Sequence, residues 1–282
     1  MYNIQTICVC GAGTMGSGIT QVAARNGFNT IQFDVNETML ERSRAAITND
    51  LQRQADKGKL STEEMKATVG RIKFTSNPKE CIAELIIEAI IENKEAKINL
   101  FNSLSTINQS QTIFATNTSS ISVTEIANEV NHSQKVAGMH FFNPAPIMKL
   151  VEVIAAKQTS DEVVQTLVAL SKRLGKIPVV CKDSPGFIVN RVARHYYLEA
   201  MKLVEMANGN MEEIDQLLVA TGFKMGPFQL MDLIGMDINF GVSNIVWEAL
   251  NKPERLRPSS LQREKVEKGE LGRKTGKGFY KY

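Results

Sequence analysis

Short apolar runs alternate along this chain with longer stretches whose apolar residues return every three or four positions. The run over residues 4–10 predicts a buried strand, and the pattern over 15–26, closed by Gly27, predicts a helix. A second strand is expected at 30–33 and a charged helix from Glu37 to about Lys57, with a shorter helix over 62–68. Residues 85–91 form an apolar strand pattern interrupted by Glu88. Residues 94–108 place Ile98, Phe101 and Leu104 at helical spacing, and strands are expected at 112–116 and 136–140. Such alternation predicts a mostly parallel sheet covered by helices on both faces.

Two later strands are expected at 149–154 and 177–180. The helix between them carries Val163, Val164, Leu167, Leu170 and Leu174 and stops at Gly175. Beyond Ser184-Pro185-Gly186 the strands give way to helices. Val192, Tyr196, Ala200, Leu203, Val204 and Ala207 mark a long one ending near Gly209. Asn210 and Glu213 read as a capping box for the next, with Ile214, Leu217 and Leu218 on its buried side. The expected architecture is therefore an α/β, Rossmann-type domain over residues 1–185 followed by an all-α domain over 186–282.

Composition changes this picture little. The 282 residues are 43% hydrophobic and 22% charged with a net charge of +3, which excludes a disordered chain and a nucleic-acid-binding excess. Lys252 to Tyr282 holds ten basic and four acidic residues, a local +6, and reads as a solvated surface or a patch for an anion. Phe279, Tyr280 and Tyr282 suggest a packed terminal strand. Cys8, Cys10, Cys81 and Cys181 show no zinc or disulfide spacing, so a reducing, cytoplasmic setting is expected and no metal site. No secretory signal or apolar run of membrane-spanning length is seen.

Candidate chemistry begins at Gly11-Ala12-Gly13-Thr14-Met15-Gly16, set between strand and helix. Gly11 permits a tight turn, Gly13 lets backbone approach a pyrophosphate, and Gly16 lets helix pack on strand. The helix N-terminus, at Thr14 and Met15, offers free N–H groups to phosphate. Asp34 closes the second strand, 23 residues after Gly11, where a carboxylate accepts ribose hydroxyls and repels a 2′-phosphate. NAD is expected, NADP less so.

Ligands of an open parallel sheet gather at the carboxyl ends of its strands. Asn117-Thr118-Ser119-Ser120 and His140 fall on that edge, and Pro144 and Pro146 stiffen the loop after His140. Of the three histidines, His132 reads as a solvated turn residue and His195 as structural. His140 has Glu152 twelve residues on, along a returning strand. An imidazole can take a hydroxyl proton, and a carboxylate behind it fixes its tautomer.

The segments GAGTMGSGI, EAIIEN, NTSS, GMHFFNPAPIMKLVEVI, DSPGFIVNR, MGPF, DLIGMD and GRKTGKGFY closely resemble the 3-hydroxyacyl-CoA dehydrogenase family, most of all its bacterial 3-hydroxybutyryl-CoA members, over essentially the whole chain. The resemblance implies an NAD-binding domain, a helical C-terminal domain that forms a homodimer and binds substrate, and oxidation of an L-3-hydroxyacyl-CoA to the 3-ketoacyl-CoA. It implies His140 as base, Glu152 as its orienting partner, and Ser119 and Asn190 as hydrogen-bond partners of the reacting oxygen. It further places Asn117, Glu92 and Lys97 at the cofactor and Lys57 near the CoA phosphates. Glu88 is read as structural. Competing readings are a 3-hydroxyadipyl-CoA dehydrogenase of phenylacetate degradation, a β-hydroxyacid dehydrogenase, which the His–Glu pair argues against, and a non-catalytic NAD-binding relative like the lens crystallin. A nucleic-acid module on the basic tail lacks interleaved aromatics.

Overall fold

A computed structural model describes residues 2–207 and 209–282. The chain divides into two compact units, Met1–Asp183 and Ser184–Tyr282.

The first unit is an eight-stranded sheet. Its strands are β1 (Thr6–Cys10), β2 (Asn29–Phe33), β3 (Ile72–Thr75), β4 (Leu85–Glu88), β5 (Ile113–Thr116), β6 (Val136–Phe141), β7 (Leu150–Ala155) and β8 (Ile177–Lys182), in the order β3-β2-β1-β4-β5-β6-β7-β8. Neighbours pair in parallel except β6 with β7. The mostly parallel sheet expected from the alternation is thus present. Helices α1 (Thr14–Arg25), α2 (Glu37–Asp56), α3 (Thr62–Gly70), α4 (Lys94–Ser105), α5 (Val123–Asn128) and α6 (Asp161–Arg173) supply the crossovers and short connections. The central strands are near-continuous apolar runs because both faces are covered. Ile7, Val9, Leu85, Ile87, Ile113, Ala115 and Met139 are fully buried and share one cluster with Val163 and Leu167 of α6. Truncating one of the larger, such as Ile87, to alanine costs about 2–5 kcal/mol.

Several boundaries differ from the sequence reading. The 85–91 pattern stops as a strand at Glu88, since the chain turns there to feed the ligand edge. Strand β3, four residues long between polar segments, has too short a run to show alternation. Cys8 and Cys10 share one face, their sulfurs 4.0 Å apart.

The second unit is helical: α7 (Val189–Glu205), α8 (Met211–Ala220), α9 (Pro227–Ile234), α10 (Met236–Ala249) and α11 (Ser260–Glu267). The capping box of Asn210 and Glu213 forms as expected. Leu217, however, is 65% exposed and Val192 65%, so the buried sides of α8 and α7 are narrower than their periodicity suggested. Two buried aspartates hold this unit. Asp215 accepts the N–H groups of Phe228 and Gln229, capping α9, and the Tyr280 hydroxyl. Asp232 accepts the N–H groups of Phe279 and Tyr280. The chain end is held by these bonds and two isolated bridges (Gly272 with Lys277, Lys277 with Lys281) rather than as the expected strand. Four lysines of the basic tail are paired, three of them with the tail's own acids: Lys265 and Lys277 meet Glu270, Lys268 meets Glu264, and Lys274 meets Asp237.

Candidate active site

β1, β2, β4, β5 and β6 run parallel, so their carboxyl ends share one edge. The glycine turn follows β1. Gly11 has φ +108°, and a Cβ there would meet the Ala89 carbonyl oxygen at 2.5 Å. A Cβ on Gly16 would lie 1.9 Å from the Gly11 oxygen, which is why helix can sit so close to turn. A Cβ on Gly13 would meet nothing within 4 Å. Gly13 is also the N-cap of α1, and no side chain caps that helix. Open space above an uncapped helix N-terminus fits the pyrophosphate of NAD, which the site would hold on backbone N–H groups. Asp34 at the end of β2 accepts the N–H groups of Ala12 (2.7 Å) and Asn36 (2.9 Å), fixing the turn and its own carboxylate together.

Further along the edge, β6 and β7 set His140 directly opposite Glu152. The antiparallel register brings His140 Nδ1 to 2.7 Å from Glu152 Oε2. The pair is buried, at 6% and 1% exposure, so the carboxylate has little water to compete for the imidazole. This bond directs the proton of a neutral imidazole to Nδ1 and leaves Nε2 as the basic nitrogen. Phe142 packs on the ring at 4.4 Å between centroids. Asn117 lies between β5 and β6, its Oδ1 accepting the Phe141 N–H. The loop after His140 is pinned by Lys176, a buried ammonium that donates to the carbonyls of Ala145 and Met148, and burial lowers its pKa.

Ser119 sits where β5 ends, and its placement depends on a charged network. Glu92 Oε1 accepts from the Thr118 hydroxyl (2.5 Å), the Ser119 N–H (3.1 Å) and the Ser120 hydroxyl (2.9 Å). Its other oxygen meets Lys97 Nζ at 3.0 Å, and that ammonium, 1% exposed, meets Glu88 Oε1 at 2.7 Å. Burial pushes the Glu88 carboxyl up against the pull of Lys97. For Glu92 burial works the same way, but Lys97 and the hydroxyl donors outweigh it and hold the carboxyl below its ordinary range. Removing one member of such a buried pair costs about 3–5 kcal/mol.

Lys57 lies on a groove of about 840 Å³ that begins at Gly13 and Thr14 and is walled by Pro144 and Pro146. Arg25, Arg42, Arg53 and Lys59 line the same groove. The sequence reading missed these four. Arg25 sits on α1, Arg42 and Arg53 on α2 and Lys59 just past its end, and only the packing of the two helices makes them converge. Asn190 belongs to the second unit, in the first turn of α7, where the Arg194 guanidinium donates to its carbonyl oxygen at 3.1 Å. Arg194 is 3% exposed, and burial brings it down to about 10. His132 is exposed, as expected. His195 is exposed too, so it packs no core.

Residues 6–184 match the family model for the 3-hydroxyacyl-CoA dehydrogenase NAD binding domain, and residues 186–282 the model for the C-terminal domain of the same enzymes. The chain belongs to the 3-hydroxyacyl-CoA dehydrogenase family. It is 45% identical over 282 residues to the 3-hydroxyadipyl-CoA dehydrogenase of Escherichia coli, an alignment that covers 99% of this chain and 59% of that protein. It therefore spans about three fifths of that relative's length. Human mitochondrial hydroxyacyl-coenzyme A dehydrogenase is 40% identical over 99% of this chain and 91% of its own. The crystal structure of an (S)-3-hydroxybutyryl-CoA dehydrogenase from Ralstonia eutropha superposes with a TM-score of 0.95 at 37% identity, covering 99% of both chains. Among the described residues no helix is long and apolar enough to cross a membrane.

Proposed function

We propose that this chain oxidises an L-3-hydroxyacyl-CoA to the 3-ketoacyl-CoA with NAD and runs the reverse reduction, with 3-hydroxybutyryl-CoA as the substrate. The observation that carries this reading is the His140–Glu152 pair, 2.7 Å apart and buried, on the edge of the sheet that bears the glycine turn. NAD, when bound, supplies the hydride acceptor. His140 takes the 3-hydroxyl proton at Nε2, and Glu152 stabilises the imidazolium that results. In the reverse direction the imidazolium returns that proton to the forming alkoxide. Ser119 and Asn190 donate hydrogen bonds to the same oxygen, where charge develops.

Asp34 takes the adenosine ribose hydroxyls. Glu92, Lys97 and Asn117 serve the cofactor side of the edge. The phosphates of CoA suit the groove of Lys57 and its four basic neighbours, since each exposed cation there attracts an anion without first breaking a buried pair. The enzyme works in the cytoplasm as a homodimer through its helical unit. Exposed Leu217, Phe223, Leu233, Ile238 and Ile245 give that unit an apolar surface suited to a second copy.

The test is NADH oxidation by the purified chain, followed by absorbance, with acetoacetyl-CoA, 3-oxoadipyl-CoA and a free 3-keto acid. Rapid turnover of acetoacetyl-CoA is expected. Preference for the dicarboxylic thioester would move the substrate to that of the Escherichia coli relative, and turnover of none would leave an NAD-binding scaffold without this chemistry.

A further inference from the structure

Glu88 is an acid of the ligand edge that the chemistry above does not use. The sequence shows it only as a polar interruption in an apolar strand. It is 0% exposed, at the last position of β4 and opposite Thr116, the last residue of β5. Both of its oxygens are occupied. Oε1 accepts Lys97 Nζ at 2.7 Å and the Ile90 N–H at 2.8 Å, and Oε2 accepts the Thr116 hydroxyl at 2.7 Å.

The two carboxylates differ in what surrounds them. Glu92 has a side chain 38% exposed, and Glu88 has none of its surface in water. An exposed carboxylate on a loop has many rotamers, and ordering it has an entropic cost. Lys97 removes that freedom from Glu92 only if the ammonium itself is fixed, and Glu88 is what fixes it. The chain of contacts then runs from Glu88 through Lys97 to Glu92, and from Glu92 Oε1 to the backbone N–H of Ser119. A second route leads from Glu88 through the Thr116 hydroxyl to the N–H of Thr118 at 3.3 Å. The routes end on the backbone of Ser119 and of Thr118, which sets where the Ser119 side chain begins.

We propose that Glu88 is a positioning residue: through Lys97 and Thr116 it fixes the Ser119 backbone, so that the Ser119 hydroxyl meets the reacting oxygen. The proposal rests on the role given to Ser119 above. It assigns a working purpose to a charge that burial disfavours, in a strand position where an apolar residue would pack.

A double-mutant cycle tests it, with kcat for acetoacetyl-CoA reduction as the readout and NADH affinity measured separately by fluorescence. Glu88→Gln keeps the shape and removes the charge that holds Lys97. It is expected to lower kcat roughly 10–100-fold, the range of a small misplacement of a reacting group, while KM changes by less than about threefold. In a Ser119→Ala background the same substitution should cost less than about threefold, because no hydroxyl remains to be placed. Thr116→Val cuts the second route with little change of shape and should show the same coupling, which guards against Glu88→Gln failing to fold. Losses that multiply in full, with Ser119→Ala itself impaired, overturn the positioning role alone. Ser119→Ala at wild-type kcat overturns the Ser119 reading and this proposal with it. A loss of unfolding temperature with kcat unchanged makes Glu88 a purely structural charge and also overturns the proposal.

Discussion

Both units bury charge, but they satisfy it differently. In the sheet unit the buried ionisable side chains of the site meet each other: Glu152 faces His140, and Lys97 sits between Glu88 and Glu92, while Lys176, beneath the loop after His140, meets the Ala145 and Met148 carbonyls. In the helical unit they meet backbone and neutral groups. Asp215 and Asp232 accept main-chain N–H groups, and Arg194 donates to the Asn190 and Asn239 carbonyls and the Ser243 hydroxyl, with no acid paired to it among the described residues. A carboxylate on an N–H group can only hold it in place. A carboxylate on an imidazole or ammonium also sets where a proton or a charge resides. The first arrangement builds architecture and the second prepares chemistry, so substitutions in the two units should fail in different ways.

The sharpest break should come at His140. His140→Gln is expected to lose about 10²- to 10⁴-fold in kcat, the usual contribution of a general base, with NADH affinity retained. Turnover within threefold of wild type would remove the residue from the chemistry. Next in size is Asp215→Ala, which strands two N–H groups and a hydroxyl and should lower unfolding free energy by about 3 kcal/mol in a denaturant titration. Its kcat per folded molecule should stay at the wild-type value. A fall in kcat without a fall in stability would erase the contrast between the units. A smaller effect is expected at the groove. Lys57→Gln and Arg53→Gln should each raise KM for the acyl-CoA about tenfold at low salt with kcat unchanged, and the difference should shrink as salt rises.

The smallest effect concerns acid. Lys265 and then Lys277 hold the Glu270 carboxyl down to about 2. A depressed folded-state value means the stabilisation is complete above the ordinary carboxylate range and is lost as pH falls toward 2. The difference in unfolding temperature between wild type and Glu270→Gln should therefore narrow on acidification. A difference constant with pH would contradict the pairing.

The sequence carried a good deal of this. The glycine turn, Asp34 and the parallel sheet were legible because turn chemistry and hydrophobic period are local. His140 and Glu152 were legible as residues on a strand and its return, and their register had to come from the fold. Glu88 was not. Strand periodicity reports that a side chain is buried, but not that a lysine nine residues on will reach it. Arg25, Arg42 and Arg53 point to one groove only after α1 packs on α2, and of the acids that pair with the tail's lysines only Asp237 comes from outside the tail, a contact its local count could not show. Leu217 showed the reverse error, where an apolar residue at helical spacing stayed outside.

The central claim concerns one nitrogen. A crystal structure of the chain with NAD and acetoacetyl-CoA bound would measure the distance from His140 Nε2 to the substrate's 3-oxygen. The account predicts hydrogen-bond reach, about 2.6–3.2 Å, with Nδ1 still on Glu152. A ring turned away from that oxygen, or a thioester bound with its 3-oxygen elsewhere, would contradict it.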